Sequence, residues 1–425
     1  MISLANWQKR NTVVLFSFFA VFICYIDRVN MSVAIIPMAE DLGWGMQMQG
    51  TILSSFFVGY LLLQIVGGRL ADRFGGKLVL GVGVLVWSLF TILTPPAASI
   101  GLGLLLATRI LMGMGEAVTF PSIYSLYAKW VPMTERSRAI GFTNSGIPFG
   151  TVFALIVTPY IVSIWGWQWA FYSFGLVGVV WWYFWHRMIR SAPTAQPPLG
   201  PSPQPLTTNE ASSDPQSDEA IGPVPWRAML SSTAVWAIIV AHFCNNWSLY
   251  VLLSWLPTFV NKGLGVDYAT VGWFTMIPHV ASFFCLNLAG SLADRLVRNG
   301  WRVIVVRKLF QTIGFGGIAL SLAVVGYIPT AELAIAVMAA GSALGAFVTG
   351  GFAVNHMDIA PKYAGTLMGI TNTAGTIPGI IGVFVSGLIL ELTGSWTLVF
   401  QVAAGVTLFG MVFYLVFAKA EKLFD

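Results

Sequence analysis

The sequence predicts an all-α membrane protein with twelve transmembrane helices in two related six-helix halves. Three observations carry this prediction: the composition, the number of long apolar segments, and short motifs that occur once in each half. Of the 425 residues, 56% are hydrophobic and 9% are charged, and the mean hydropathy is +0.77. A soluble globular domain carries about 25% charged residues, so this composition is typical of a protein that crosses a membrane many times.

Twelve apolar segments, called spans 1 to 12 below, are each close to the ~20 residues needed to cross a bilayer. The spans are predicted over residues 12–36, 47–67, 77–95, 101–128, 138–163, 167–187, 231–260, 269–293, 303–327, 330–354, 364–390 and 395–418. Between spans 6 and 7, residues 191–225 are rich in Pro, Ser and acidic side chains and offer almost nothing to bury. We therefore predict an N-terminal bundle over 1–190, a flexible linker over 191–226, and a C-terminal bundle over 227–425.

The positions of the basic residues predict how the chain is oriented. Except for Arg28, Arg109 and Lys262, every Lys and Arg lies at a terminus, in a loop after an even-numbered span, or at the end of a span beside such a loop. Cytoplasmic loops collect Lys and Arg, so both termini and the linker are predicted on the cytoplasmic side. The same loops explain the net charge of +5 without a nucleic-acid partner. The cell plasma membrane is the expected location, because no transit peptide precedes span 1, and a plastid envelope or thylakoid membrane is the alternative.

The two halves share motifs in the same order. Leu-Ala-Asp-Arg follows span 2 at 70–73 and span 8 at 292–295, while Gly-Phe-Thr-Asn at 141–144 in span 5 matches Gly-Ile-Thr-Asn at 369–372 in span 11. Two matches half a chain apart indicate a repeated unit.

The loop motif predicts a gate between the halves. Gly68 permits close helix approach, and Asp72 can pair with an arginine or a helix N-terminus to hold the cytoplasmic side shut. We assign this gating role to Gly68, Asp72 and Arg73, and to Asp294 and Arg295 in the second half. In the alternative interpretation, the basic residues only set the topology.

Two pairs of opposite charges lie inside apolar spans: Asp27 with Arg28 in span 1, and Arg109 with Glu116 in span 4. An ionised group at that depth costs at least ~2.5–3.5 kcal/mol, so it usually has a partner and a task. The helical rise places Arg28 and Arg109 at about the same depth and Glu116 roughly 10 Å further in. Two guanidiniums at one level can hold a carboxylate or phosphate through paired hydrogen bonds. The pattern predicts anion binding at the arginines and proton transfer at Asp27 and Glu116, with static ion pairing as the alternative.

Other features indicate structural roles. The sequence contains no phosphate-binding loop, metal-spaced His/Cys cluster or nucleophile–base motif, so we expect a protein that is not an enzyme, without cofactor or metal. His242 is predicted to make structural polar contacts. The tryptophans around 165–169 and 181–185 are predicted to be anchors at the membrane interface.

Residues 68–77, Gly-Arg-Leu-Ala-Asp-Arg-Phe-Gly-Gly-Lys, resemble the signature loop of the major facilitator superfamily. Within that superfamily the chain is similar to the anion:cation symporter branch, which includes sialin, vesicular glutamate transporters, plastid phosphate and ascorbate carriers, and bacterial galactonate and hexuronate permeases. The stretches that carry this similarity are Tyr-Ile-Asp-Arg-Val-Asn-Met-Ser-Val-Ala at 25–34, His-Phe-Cys-Asn-Asn-Trp at 242–247, and Asn-His-Met-Asp-Ile-Ala-Pro at 355–361.

The resemblance implies the major facilitator fold and a secondary active transporter. It would move an organic anion (a carboxylate, sugar acids included) or phosphate by alternating access, with proton symport. A sodium-coupled or potential-driven carrier is the alternative, and a transporter-like receptor or channel is the alternative from another class. The branch's substrate-binding positions fall on Arg28, Arg109, Tyr25, Tyr60 and Asn372, and its proton-coupling acids fall on Asp27 and Glu116. The expected partners are a small anion, protons or sodium, and the bilayer, and the expected state is a monomer.

Three departures from the branch leave the substrate open. The helix-7 arginine of the glutamate carriers is Asn245 here, and their helix-2 histidine is Leu53. The helix-5 glutamine of the galactonate permeases is Ile147. Glutamate and galactonate are therefore disfavoured, and the pattern at 242–247 leans toward the plastid-type subgroup and its bacterial relatives.

Overall fold

The computed structural model describes residues 9–131, 133–189, 225–361 and 363–424, which form sixteen α-helices and no β-strand. The helices are α1 (Lys9–Leu42), α2 (Met46–Phe74), α3 (Gly76–Ile100), α4 (Leu102–Ala117), α5 (Thr119–Trp130), α6 (Met133–Asn144), α7 (Gly146–Trp165), α8 (Trp167–Met188), α9 (Trp226–Ser231), α10 (Thr233–Thr258), α11 (Val271–Arg298), α12 (Val303–Val325), α13 (Ala331–Gly345), α14 (Phe352–Ile359), α15 (Ala364–Thr393) and α16 (Trp396–Phe417). The predicted linker lies outside the described residues, apart from its last two.

These helices form the twelve predicted spans. Helices α4 and α5 make up span 4, α6 and α7 make up span 5, α13 and α14 make up span 10, and α9 is a short helix before span 7. Eleven spans in the described part of the chain are long and apolar enough to cross a membrane by mean hydropathy. The twelfth, α8, is also long enough with 22 residues, but it is rich in Trp and Tyr, which lower its hydropathy.

Spans 4 and 5 each consist of two helices with a short break between them. Helix α4 ends at Ala117, four residues before Pro121, and α6 ends at Asn144, four residues before Pro148. A proline ring clashes with the carbonyl four residues earlier and supplies no N–H to it. As a consequence, Glu116 lies in the last turn of a broken helix.

The two halves meet at the end of the bundle opposite the termini, called the distal end below. There Glu40 at the end of α1 forms an ion pair with Lys262. The backbone N–H of Gln47 donates to a carboxylate oxygen of Glu391 over 3.3 Å, which joins α2 to α15. A Cβ atom on Gly272 would lie 1.9 Å from a backbone oxygen of α7, so α11 and α7 are also in backbone contact. The halves are therefore closed against each other at the distal end.

Toward the other end, where α1 begins and α16 ends, the halves diverge. The side chain of Gln64 on α2 still accepts a hydrogen bond of 3.3 Å from Thr376 on α15. Nearer the termini, Gly290 on α11 and Gly369 on α15 have no atom of a neighbouring element within 4 Å of a built Cβ. The described contacts between the halves are therefore concentrated at the distal end and near Gln64.

The predicted gate lies at the end of the bundle near the termini. Gly68 faces Pro121 of α5 at 3.9 Å from a built Cβ. Arg73 is exposed, with its guanidinium 5.3 Å from the Phe74 ring centroid, and Asp294 and Arg295 are exposed as well. The side chain of Asp72 lies outside the described side chains. The gating role of these residues stays a prediction.

The Glu40–Lys262 pair leads to a first testable prediction. Because both side chains are partly exposed, the pair is worth only about 0–1 kcal/mol. Glu40→Gln and Lys262→Gln should therefore each raise the population open at the distal end by about fivefold at most. The measurement is the rate at which a cysteine introduced at Gln49, which lines a small cavity beside the pair, reacts with a thiol reagent. Exchanging the two charges, Glu40→Lys with Lys262→Glu, should restore the original rate, and failure to restore it would contradict a gating role for the pair.

Candidate functional site

The site begins with a close crossing of α2 and α4. A Cβ atom on Gly59 would lie 1.8 Å from the carbonyl oxygen of Ile110, and one on Gly113 would lie 2.1 Å from the carbonyl oxygen of Phe56. Only glycine at these two positions permits backbone contact of this kind. The crossing holds the Phe56 side chain beside α4 in the N-terminal half.

Both predicted arginines lie against the Phe56 ring. The guanidinium carbon of Arg28 is 5.0 Å from the ring centroid, and that of Arg109 is 5.4 Å from it. Arg28 also lies over the rings of Tyr25, at 4.8 Å, and Tyr60, at 5.0 Å. Cation–π contacts of this kind stabilise a guanidinium that has lost its water. The structure thus brings four of the five predicted substrate-binding residues together around Arg28 and the Phe56 ring.

Glu116 forms a buried ion pair with Arg28. Its Oε2 atom lies 3.0 Å from Nη2 and 3.4 Å from Nε of Arg28. The thiol of Cys24 donates to the same oxygen over 3.1 Å. By helical rise, the backbone of Glu116 lies closer to the terminal end of the bundle than the backbone of Arg28 does. Side chains on a helix, however, point toward the N-terminus of that helix. Since α1 begins at the terminal end, Arg28 reaches back one turn to the level of Cys24 and Glu116.

Arg109 differs from Arg28 in having no carboxylate within 4.0 Å among the described residues. It is 2% exposed, its Nη1 atom lies 3.0 Å from the sulfur of Met112, and its Nε atom has no hydrogen-bond partner in the described part of the chain. A buried cation without a close counter-charge is costly. Arg109 is therefore suited to bind a negative group that enters from outside the protein.

Asp27 faces away from the arginine next to it. Successive residues of a helix point about 100° apart, and Asp27 lies beside the indole of Trp87 on α3 without reaching hydrogen-bond geometry. The side chain is 1% exposed, and neither carboxyl oxygen has a partner among the described residues. Burying an unpaired carboxylate is far more costly than burying the neutral acid, so this environment suits a group that binds a proton.

The C-terminal half faces the site through Asn372 and Tyr250. Asn372 on α15 makes no side-chain hydrogen bond to either arginine within the described residues, although its carbonyl accepts from Thr376 over 2.9 Å. Sequence reasoning missed Tyr250 of α10, whose ring centroid is 4.6 Å from that of Phe57 and which lies within electrostatic range of Arg28. Its place in an apolar span just after Asn245-Asn246 was the available signal.

A second polar cluster lies within the C-terminal half. Thr371 Oγ1 is 3.2 Å from Nδ1 of His242 and 2.9 Å from Nε2 of His356. Arg307 donates to both carboxylate oxygens of Asp358, over 2.7 and 3.1 Å. These contacts join α10, α12, α14 and α15 and suit a structural role. Among the described residues, no three His, Cys, Asp or Glu side chains are grouped as metal ligands.

Comparison with known proteins identifies the family. The family model described as Major Facilitator Superfamily matches residues 17–383. The chain belongs to the major facilitator superfamily. Its fold agrees, because a solved bacterial homologue of the human lysosomal transporter Spinster, in an inward-facing and occupied conformation, superposes with a TM-score of 0.76 at 17% identity, covering 97% of both chains. The predicted fold class is confirmed, and the protein is a multi-pass membrane protein.

Relatives in sequence include proteins that are named as anion or phosphate transporters. The rice (Oryza sativa subsp. japonica) "Probable anion transporter 4, chloroplastic" is 43% identical over 422 residues, which cover 99% of this chain and 71% of that protein. "Sodium-dependent phosphate transport protein 1, chloroplastic" of Arabidopsis thaliana is 42% identical over 420 residues, covering 99% and 81%. Sialin of Ovis aries is 36% identical over 448 residues, covering 97% and 90%. The predicted branch of the superfamily is confirmed by these relatives.

Proposed function

We propose that the protein is a secondary active transporter that moves a small anion through the space between its halves, with protons as the coupling ion. The observation that supports this most directly is the pair of buried arginines around Phe56, only one of which has a carboxylate partner. Two guanidiniums facing one space can hold a carboxylate or phosphate through several charge-assisted hydrogen bonds. The names of the relatives, anion transporter, phosphate transport protein and sialin, agree with such a substrate.

Proton coupling follows from competition for Arg28. Glu116 occupies the same N–H groups that an anion would use. A proton on Glu116 removes its charge and releases Arg28 to the anion. With Glu116 ionised, an anion that enters must share Arg28 with a buried negative charge, which costs electrostatic energy. Binding a proton with the anion avoids that cost, and the two are therefore carried together.

The second candidate is a sodium-coupled phosphate carrier. It is favoured by the name of the Arabidopsis relative and by Asp27, whose two buried oxygens have no partner among the described residues and could face a hard cation.

The chloroplast location in the names of the plant relatives favours a plastid membrane over a bacterial plasma membrane. With both termini on the cytoplasmic or stromal side, the distal contacts between the halves lie on the opposite side of the membrane. We propose that the monomer is the transporting unit.

Proteoliposome uptake tests the proposal. Purified protein is reconstituted and given labelled inorganic phosphate or labelled gluconate under an imposed pH, sodium or voltage gradient, one at a time. We expect saturable accumulation with the pH gradient alone. Accumulation with sodium alone would favour the sodium-coupled carrier, and accumulation with voltage alone would favour a uniporter. Flux that does not saturate would indicate a channel, and binding without counterflow would indicate a receptor.

A further inference from the structure

We propose that Cys24 is a positioning residue for Glu116: its thiol holds the ionised carboxylate on Arg28 and so sets the pH at which proton binding releases that arginine. This inference rests on the proposed function, because it explains how the same site would choose its working pH. Nothing in the family resemblance or in the names of the relatives assigns a role to this residue.

The two oxygens of Glu116 have different environments. Oε2 accepts hydrogen bonds from Nη2 and Nε of Arg28 and from Sγ of Cys24, over 3.0, 3.4 and 3.1 Å. Oε1 is buried and has no partner among the described residues. Three donors therefore converge on Oε2, and Oε1 is the oxygen without a donor that is left to receive a proton.

The thiol must be the donor in its contact with Glu116. An ionised carboxylate only accepts hydrogen bonds, so the hydrogen lies on Cys24. Cys24 and Arg28 are four residues apart on α1 and so share one helix face. The thiol of Cys24 and the guanidinium of Arg28 therefore approach Glu116 from the same helix face. Because Cys24 is 1% exposed and Glu116 is fully buried, water is poorly placed to replace the thiol if it is removed.

The other groups around Glu116 are charged or lie further from its oxygens. The titratable and charged groups that interact with it are Tyr25, Asp27 and Arg28 on α1 and Arg109 on α4, and Trp87 of α3, which packs against Gly115, carries no charge. Arg28 stabilises the carboxylate but is also the group that the anion requires. Cys24 adds a donor without adding charge, so it can adjust proton binding without changing the charge balance of the site.

Removal of the thiol should move the pH dependence of transport. Without this donor the carboxylate is less stable relative to the protonated acid, so Glu116 keeps its proton to higher pH. The alkaline limb of proton-driven uptake should then move to higher pH by about half to one unit, because a thiol is a weak donor and one unit corresponds to a tenfold change in proton binding. Cys24→Ser keeps a donor and should return most of the shift.

The experiment compares Cys24→Ala, Cys24→Ser and wild type in proteoliposomes, with labelled phosphate uptake measured across a series of external pH values. Cys244→Ala is the matched control, because Cys244 is equally buried but lies on α10 against Gly410 in the other half. It should leave the profile unchanged. An unshifted midpoint in Cys24→Ala would overturn the proposal, and so would an equal loss of uptake at every pH in both the Ala and Ser variants.

A second readout keeps this test separate from the proposed function. Infrared titration of the purified protein follows the protonated carboxyl band that is lost in Glu116→Gln. Its midpoint should move to higher pH in Cys24→Ala and stay near wild type in Cys244→Ala. A shifted band supports the role of Cys24 even where uptake does not respond to a proton gradient, an outcome that would overturn the proposed coupling alone. An unshifted band overturns the role of Cys24.

Discussion

Arg28→Ala and Arg109→Ala are each expected to reduce anion uptake by at least about thirtyfold, because truncating one partner of a buried charge contact costs roughly 2–5 kcal/mol. Arg109 carries the clearer expectation, since no described carboxylate lies within 4.0 Å of it and its charge is free for the substrate. Arg→Lys at either position should also fail, because a single ammonium cannot supply the planar pair of donors. Uptake and equilibrium binding of labelled phosphate measure both effects.

The controls separate loss of binding from loss of folding. Arg28→Ala leaves Glu116 buried without its partner, which is destabilising in itself. We therefore include Arg28→Ala with Glu116→Gln, which should recover membrane insertion but not uptake. Arg298→Ala removes an exposed arginine from the last turn of α11 and should change neither property. Affinity near that of wild type in Arg28→Ala or Arg109→Ala would remove that residue from the binding site.

The sequence predicted the spans well because their signal is compositional. Long apolar segments, basic loops and a repeated motif depend on chemistry that can be counted along the chain, and the twelve predicted spans coincide with the observed helices. The breaks at Ala117 and Asn144 were missed, although the prolines four residues later were visible. A proline within an apolar segment can either be accommodated, as Pro37 is within α1, or end the helix, and packing decides between the two.

The tryptophan predictions show a second limit. Trp167, Trp181 and Trp185, three of the tryptophans predicted as interfacial anchors, are buried in the bundle. Trp167 donates to a carboxylate oxygen of Asp41 over 2.8 Å, and the other two are buried and donate to backbone carbonyls of the first and third spans. An indole combines apolar area with one N–H donor, so it suits either an interface or a packed helix contact. Only the rotation of α8 against its neighbours decides, and that rotation is a tertiary property.

The sequence predicted which residues belong to the candidate site, but it did not predict which of them contact each other. Helical rise alone places Arg28 and Arg109 at one level and Glu116 further along. Helical rise takes no account of the direction of a long side chain, which points toward the N-terminus of its helix. This direction brings Arg28 to Glu116. The same limit hid the opposite directions of Asp27 and Arg28. Their adjacency in sequence suggested one site, whereas Asp27 points toward α3 and Arg28 points toward α2.

Glu116→Gln is expected to abolish proton-driven accumulation while exchange of anion between equal pools continues. The amide has nearly the shape of the acid and can still accept from Arg28, so the binding site and the conformational change remain. It cannot bind or release a proton in the working range, so the cycle loses its coupling. The accumulation ratio under a pH gradient should fall to unity, and the exchange rate should remain measurable in the same vesicles.

Asp27→Asn tests whether the second carboxyl shares this task. Asp27 has no hydrogen-bond partner among the described residues, so its substitution breaks no ion pair and should cost less in folding than a change at Arg28. We expect exchange to persist and coupling to be weakened, with a larger loss of coupling in Glu116→Gln because only Glu116 competes with the anion for Arg28. Proton-driven accumulation at the wild-type level in both single variants would contradict the proton-carrier assignment. The two carboxylates would then be structural counter-ions, and the membrane potential would become the driving force to test.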